Sequence, residues 1–533
     1  MNKKILGSYY TPQNLAKFVT NYCANQINKK EFSILEPSVG DGNFVESINN
    51  YYNNNVIKKI NLTIVEKENE ELIKAKKKNI NKNIVLKSIN DDYLNFHFNN
   101  KKKFNLIIGN PPYVKSNLLK DEQKDLIKRI HNELNLSNKK TNNIWTAFLV
   151  SSIIKLEQDG ILAFILPLEL LQVKFTEELR ELLKKSFERL EIFMFNELQF
   201  LECKGQDTVL LIGYKKHKVS GTFYTTIKSM EELLNNEFIL YRNKSVSESN
   251  KKWTHHFISS DEYVFLEKLK KDLKPISEYV NNKAGIVTAA NNYFIVNEET
   301  LEKFSLNSFS KPIVQKGVFV NGSVSFNKDD YDKLIYDKKP AFLLDFNKID
   351  ASKIPNNVKE YLIKGEEEGL QERFKCKQRI HWYKVPNIAT QSKAFFFKRA
   401  HEYPKLLKNE ANVFVTDSAY NIEIKDNYRI DDFIFSFYNS LTLTFSELEG
   451  RYYGGGVLEL TPNEFRVLPL PYNSIDNFNN YKKIFKSKKN ISELLSHYNH
   501  QILNSSLNLS NEEINKIELI RNKLINKRQK KDI

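Results

Sequence analysis

Short apolar runs alternate, over roughly the first 215 residues, with stretches whose apolar side chains recur at helical spacing. Runs at 32–35, 62–65, 84–86, 106–108, 161–166, 190–195 and 208–214 read as strands. Several are unbroken rather than alternating, as expected where both faces of a strand are covered. Residues 14–28, 68–78, 144–157 and 176–187 between them read as helices. Strands alternating with helices predict an α/β fold with a doubly wound, mostly parallel sheet. Residues 115–143, polar and lysine-rich, interrupt the rhythm as an insertion.

The pattern changes from about residue 230. Residues 241–259 are polar and irregular, as in a linker, and 283–296, 314–326 and 414–424 read as isolated strands or hairpins among long loops. Aromatic and basic residues interleave there, in Arg379-Ile380-His381-Trp382-Tyr383-Lys384 and Phe395-Phe396-Phe397-Lys398-Arg399. The expected organisation is therefore an α/β domain over 1–240, a mixed α+β domain over 250–475, and a helical basic tail over 476–533.

Charge narrows the partner. Lys and Arg number 81 against 65 Asp and Glu, a net +16, which points to an acidic partner, nucleic acid before a membrane surface. The longest apolar run, near 161–173, is broken by Pro167 and Glu169, short of the roughly 20 residues a span needs, and no basic amphipathic anchor accompanies it. Met1-Asn2-Lys3-Lys4 leads to only two apolar residues before Gly7, so no secretory leader is expected. Cys23, Cys203 and Cys376 form no Cys-x-x-Cys pair, which excludes a disulfide scaffold and a cysteine-built metal site and suits a reducing, cytoplasmic setting.

The stretch richest in chemistry is Asn105-Leu106-Ile107-Ile108-Gly109-Asn110-Pro111-Pro112-Tyr113. An apolar strand runs into a rigid turn in which two prolines remove two backbone donors. The Asn110 side-chain oxygen and the Pro111 carbonyl remain as acceptors, with Tyr113 offering a flat aromatic face. Such a set suits a planar group carrying an exocyclic NH2. Two acceptors taking both hydrogens would ready the nitrogen lone pair for an electrophile held in line. A second element is Ile34-Leu35-Glu36-Pro37-Ser38-Val39-Gly40-Asp41-Gly42-Asn43-Phe44, a strand entering a glycine turn that opens a helix. Position 45 is Val, so the third glycine of a dinucleotide fingerprint is missing. The next strand ends in Glu66, an acid placed to bind both hydroxyls of a ribose, and ribose without pyrophosphate suits S-adenosylmethionine. Asp92 and Tyr93 follow the third strand, where an acid can take an adenine amine, and Thr11 sits at a helix entry, where a carboxylate can be held.

Tyr9-Tyr10-Thr11-Pro12, the Leu35–Phe44 segment, Asn110-Pro111-Pro112-Tyr113 and the late Arg451-Tyr452-Tyr453-Gly454-Gly455-Gly456 together resemble the gamma-class (TaqI-like) adenine-N6 DNA methyltransferases, in that class's order and over about residues 7–475. The resemblance implies an S-adenosylmethionine-dependent fold followed by a target-recognition domain, acting on double-stranded DNA as a monomer. Asn110, Pro111, Pro112 and Tyr113 would then hold the target adenine, and Phe200 would pack against it once it is flipped out of the stack. Thr11, Glu36, Ser38, Gly40, Gly42, Glu66, Asp92 and Tyr93 would line the cofactor site. Lys115, Arg379, Lys398, Arg399, Arg451, Tyr452 and Tyr453 would face DNA. Two features depart from the pattern: Val39 stands where a smaller residue is usual, and the turn after Phe200 lacks a proline. The competing readings are a cytosine-N4 methyltransferase, a glutamine methyltransferase, and a catalytically degenerate DNA-binding module. A separately encoded restriction endonuclease is a compatible partner.

Overall fold

The unbroken apolar runs become the centre of a nine-stranded sheet. The computed structural model describes residues 10–53, 59–78, 81–137, 143–195, 207–242, 252–320, 322–388, 390–453 and 455–529. The chain divides into two units, the first essentially 1–264 and the second essentially 265–452 with 456–529. The helices from Phe478 onward therefore fall within the second unit.

In the first unit the strands are β1 (Glu31–Glu36), β2 (Lys59–Glu66), β3 (Ile84–Asn90), β4 (Phe104–Gly109), β5 (Leu156–Pro167), β6 (Arg189–Phe195), β7 (Thr208–Tyr214), β8 (Gly221–Ile227) and β9 (Tyr241–Arg242). Their order is β3-β2-β1-β4-β5-β7-β6-β8-β9. Strands β1 to β5 are parallel, β7 enters antiparallel between β5 and β6, and β8 pairs parallel with β6. Helices α1 (Gln13–Ala24), α2 (Asn43–Asn53), α3 (Asn69–Lys76), α4 (Tyr93–Asn99), α5 (Asp121–Asn132) and α6 (Trp145–Lys155) belong to the same unit. The doubly wound α/β expectation holds, and continuity of apolar residues explains why: Leu106, Ile107 and Ile108 of β4 and Leu162 to Leu166 of β5 are fully buried. Helix α6 stops at Lys155 and β5 begins at once, earlier than the apolar run predicts, because exposed polar residues Gln158 and Asp159 are carried on the strand. Strands β8 and β9 have no counterpart in the apolar runs; β8 alternates threonine with larger residues and is only partly covered. No helix among the described residues is long and apolar enough to cross a membrane.

The second unit mixes short strands and helices. A five-stranded sheet has the order Val280–Ala284, Ala419–Ile424, Ala394–Phe397, Lys405–Asn409, Ser325–Phe326. A four-stranded sheet joins Ile295–Val296, Phe342–Leu344, Ser310–Val314 and Phe414–Val415. Helix Asn511–Gln529 packs on Ser440–Glu449.

Candidate active site

Strand order reverses between β1 and β4, and at such a switch point the carboxyl ends of neighbouring strands leave a crevice. The sequence puts its chemistry there, since β1 ends in Glu36 and β4 runs into Asn110. The glycine turn after β1 needs its glycines for geometry. Gly42 has φ +83°, and a Cβ there would stand 2.9 Å from the Ala75 Cα of α3. Gly40 has φ +52°, with the Tyr10 ring 3.3 Å from where a Cβ would sit. The Gly40 N–H donates to Glu66 Oε2 (3.0 Å), and the Glu68 N–H donates to Glu66 Oε1 (3.0 Å). Burial raises the Glu66 pKa despite those two donors. Thr11 is buried, and its carbonyl accepts from Asn43 Nδ2 (2.9 Å), tying the entry segment to the turn.

Glu36 is the anomalous member. It is 1% exposed, and its Oε2 finds no hydrogen-bond partner among the described residues. Burial, then the nearby Asp41 and Glu66 carboxylates, hold its pKa well above the carboxylate range. A buried acid without a partner is costly unless a cationic ligand group completes it. The α-ammonium of S-adenosylmethionine is such a group, so the donor set fits that cofactor.

The turn after β4 is tied from both sides. The Ser38 hydroxyl donates to the Asn110 backbone carbonyl (3.1 Å), and a Cβ on Gly109 would press on the Pro37 ring at 3.3 Å. The Tyr113 hydroxyl donates toward Asn110 Oδ1 (2.8 Å) and lies 3.1 Å from the Ile165 carbonyl of β5. Asn110 is thereby oriented by its own turn. Phe200 lies outside the described residues.

Beside this crevice is a cavity of about 250 Å³, whose walls include Ser38, Glu66, Asp92, Tyr93, Pro112 and Phe148. Five of those six were singled out from sequence. Asp92 caps α4, accepting from the Leu94 N–H (3.0 Å), while its other oxygen takes Gln123 Nε2 (2.9 Å). Tyr93 is 2% exposed, stacked on Phe96 and set against Phe148, with burial raising its pKa to about 12. Sequence reasoning missed Val114, Leu119, Gln123, Ile144 and Phe148 of this wall. Val114 lies just before the stretch read as an insertion and the others within or just after it; its position directly after a strand end was the available signal.

The second unit corrects several surface assignments. The Arg379 guanidinium is spent on carbonyls: Nη2 donates to Thr288 (2.7 Å) and Nη1 to Trp382 (3.0 Å). Tyr452 is 8% exposed and donates its hydroxyl to the Glu447 carbonyl (2.8 Å), so it is a core residue. Arg451 pairs with Glu464 (2.9 Å), and Arg399 pairs with Glu459 (3.3 Å) while its side chain stays 62% exposed. Gly456, at φ +71°, admits the C-terminal helix: Arg528 donates to its carbonyl, and a Cβ would meet the Gln529 Cα at 3.2 Å. That part of the glycine run serves packing. Lys398 is half-buried, Tyr453 is 37% exposed, and Lys115 is exposed beside a bridge to Asn143.

Comparison with known proteins places the two halves separately. The family model for the Eco57I restriction-modification methylase matches residues 13–200, and that for the C-terminal domain of type II methyltransferase M.Eco57I matches 250–503. Type II methyltransferase M.AccI of Acinetobacter calcoaceticus is 25% identical over 485 residues, covering 87% of this chain and 85% of that protein. Type II methyltransferase M.HincII of Haemophilus influenzae is 28% identical over 278 residues, 49% of this chain and 47% of that protein. Among solved structures, the Type IIL restriction-modification enzyme MmeI, in complex with DNA, aligns with TM-score 0.54 at 14% identity over 98% of this chain and 73% of its own. A nuclease-deletion mutant of the Type ISP restriction-modification enzyme LlaGI, bound to a DNA substrate mimic, gives 0.52 at 13% identity over 92% and 54%. These structural likenesses speak for the fold.

Proposed function

We propose, for a chain that belongs to the gamma-class restriction-modification methyltransferases of Eco57I type and uses S-adenosylmethionine, that it methylates adenine N6 in double-stranded DNA. DNA methyltransferase activity follows from the family; the choice of base is our reading of the site. The observation that carries it is the Asn110 amide oxygen, oriented by the Tyr113 hydroxyl at the end of β4 and tied through the Asn110 carbonyl to Ser38 of the cofactor turn. When bound, the cofactor supplies an electrophilic methyl group. Asn110 Oδ1 and the Pro111 carbonyl accept the two N6 hydrogens of the target adenine, which keeps the nitrogen lone pair available. Tyr113 would release its bond to Asn110 as the base arrives, and its ring would pack on the base plane. No strong general base is required, because the N6 proton becomes acidic once the nitrogen has been alkylated. Glu36 would hold the cofactor's ammonium, Glu66 its ribose, and the Asp92–Tyr93 wall its adenine. An adenine inside the duplex is out of reach, so the base is flipped at a cost of a few kcal/mol, which stacking of roughly 1–3 kcal/mol per base offsets.

The test is Asn110→Ala in the full chain, assayed by methyl transfer to a methylation-free genome and sequencing of modified bases. The expected variant binds S-adenosylmethionine normally and loses methylation by several orders of magnitude. Modified cytosine in the wild-type product, or near-normal turnover of the variant, would overturn the assignment.

A further inference from the structure

Behind the cavity wall runs a line of buried polar side chains that the reaction itself does not use. Tyr93 and Phe148 face each other at 4.8 Å between ring centroids, and both contribute to the cavity wall. The Tyr93 hydroxyl accepts from Ser151 Oγ (3.0 Å) and lies 3.1 Å from Ser152 Oγ. His97 Nδ1 lies 2.8 Å from Ser151 Oγ. The other imidazole nitrogen lies 2.9 Å from Glu133 Oε1, at the surface end of the line. Tyr93, His97, Ser151 and Ser152 are each at most 4% exposed.

The line spans three helices. Tyr93 and His97 stand four residues apart on α4 and so share one face. Ser151 and Ser152 come from α6, and Glu133 is the C-cap of α5. Helix α4 is also held at both ends. Asp92 caps its start, and Lys155 of α6 donates from Nζ to the His97 carbonyl near its close (3.1 Å). A tyrosine that served only to fill space would be replaceable by phenylalanine without need of buried partners. Here three further polar side chains are desolvated around one phenol. A connected buried network of this kind favours one geometry.

We propose that Glu133, His97 and Ser151 are positioning residues for the cofactor: by fixing the Tyr93 hydroxyl they set the angle between the Tyr93 and Phe148 rings, against which the planar base of S-adenosylmethionine rests. This rests on reading the cavity as the seat of the cofactor's adenosyl end. The serine and histidine resemble a nucleophile and its base in spacing alone, since Ser151 is 0% exposed and no substrate atom can reach it.

The test uses the full chain and S-adenosylmethionine itself, with Ser151→Ala, the half-exposed Glu133→Gln, Tyr93→Phe and the Ser151→Ala/Tyr93→Phe double variant. Calorimetry gives the cofactor Kd, and steady-state methylation gives its KM and kcat. Ser151→Ala is expected to raise Kd and KM about tenfold and Glu133→Gln about threefold, with kcat at saturating cofactor within twofold of wild type for both. Tyr93→Phe should raise Kd as Ser151→Ala does, and the double variant should be no worse than either single one, because all interrupt one line. Unchanged cofactor Kd in Ser151→Ala and Tyr93→Phe, a loss confined to kcat or thermal stability, or additive losses in the double variant would overturn the proposal. Wild-type binding that is insensitive to bulky replacement of the cavity residue Leu119 would instead overturn the cavity assignment, and this proposal with it.

Discussion

Replacing Glu36 by Gln should make the ligand-free protein more stable and the cofactor complex weaker. The side chain is 1% exposed, one carboxylate oxygen lacks a partner among the described residues, and Asp41 and Glu66 add like charge. Its pKa is therefore raised on folding. A carboxyl raised in the folded state contributes stability that is present below its unfolded pKa and lost as pH rises through the folded one. At pH 8, above the carboxyl's unfolded pKa, folding must either desolvate the carboxylate or keep it protonated, and Gln removes that cost. Desolvating an unpaired ion costs several kcal/mol, so relief of even part of it is worth about 1 kcal/mol, or roughly 2–4 °C in Tm. With cofactor present the sign reverses. An ammonium left without its buried counter-charge costs about 3 kcal/mol, close to 100-fold in Kd. Thermal melts of the ligand-free protein between pH 5 and 8, with calorimetry of S-adenosylmethionine at pH 8, measure both. The Tm advantage of the variant should shrink as pH falls toward the carboxyl's unfolded pKa, where the folded and unfolded states approach the same protonation. Wild-type cofactor affinity in Glu36→Gln, or a lower ligand-free Tm at pH 8, would refute the reasoning.

Three further outcomes follow from the packing. Gly42→Ala puts a Cβ 2.9 Å from the Ala75 Cα at φ +83°, and should lower stability by about 1–3 kcal/mol in chemical denaturation while weakening cofactor binding in calorimetry. Arg528→Met strands Glu447, whose two oxygens now lie 2.7 and 2.8 Å from the guanidinium, so a loss of about 3–5 kcal/mol is expected in denaturant melts, and Arg528→Met/Glu447→Leu should recover much of it. DNA affinity should fall with salt at about −0.9 in log–log slope per phosphate contact, and Arg379→Ala should leave that slope unchanged in a fluorescence titration because its guanidinium is held by carbonyls.

The central strands and their mostly parallel arrangement were legible because they rest on local information. An unbroken apolar run suits a strand covered on both faces, and strands alternating with helices imply parallel pairing; their order was not predicted. The chemistry at the ends of β1 and β4 was legible for the same reason: Glu36, Gly40, Gly42 and the Asn110-Pro111-Pro112-Tyr113 turn are each a few consecutive residues whose geometry the backbone dictates. What stayed hidden depends on partners far apart in sequence. Glu133, His97, Ser151 and Tyr93 meet across 58 positions of chain, and no local pattern marks a histidine on α4 as the neighbour of a serine on α6.

The same limit governs the net charge of +16. A cation in a sequence signals an acidic partner only if its own chain has not already supplied one. Arg528 finds Glu447 at 81 positions' distance, Arg399 finds Glu459 at 60, and Arg451 finds Glu464, each by tertiary folding. Local clustering therefore says little about which arginines face outward: Arg528 is fully buried and Arg451 largely covered, whereas Arg399 keeps 62% of its side chain exposed. Arginine's planar fork suits it to buried carboxylates and carbonyls, whereas the strongly hydrated lysine ammonium is usually left at the surface. Lys115 is exposed and the Lys398 side chain half-buried. Exposed Lys115 and Arg399 thus stay candidates for phosphate contacts, whereas Arg528→Ala and Arg451→Ala should lower stability more than salt-dependent affinity.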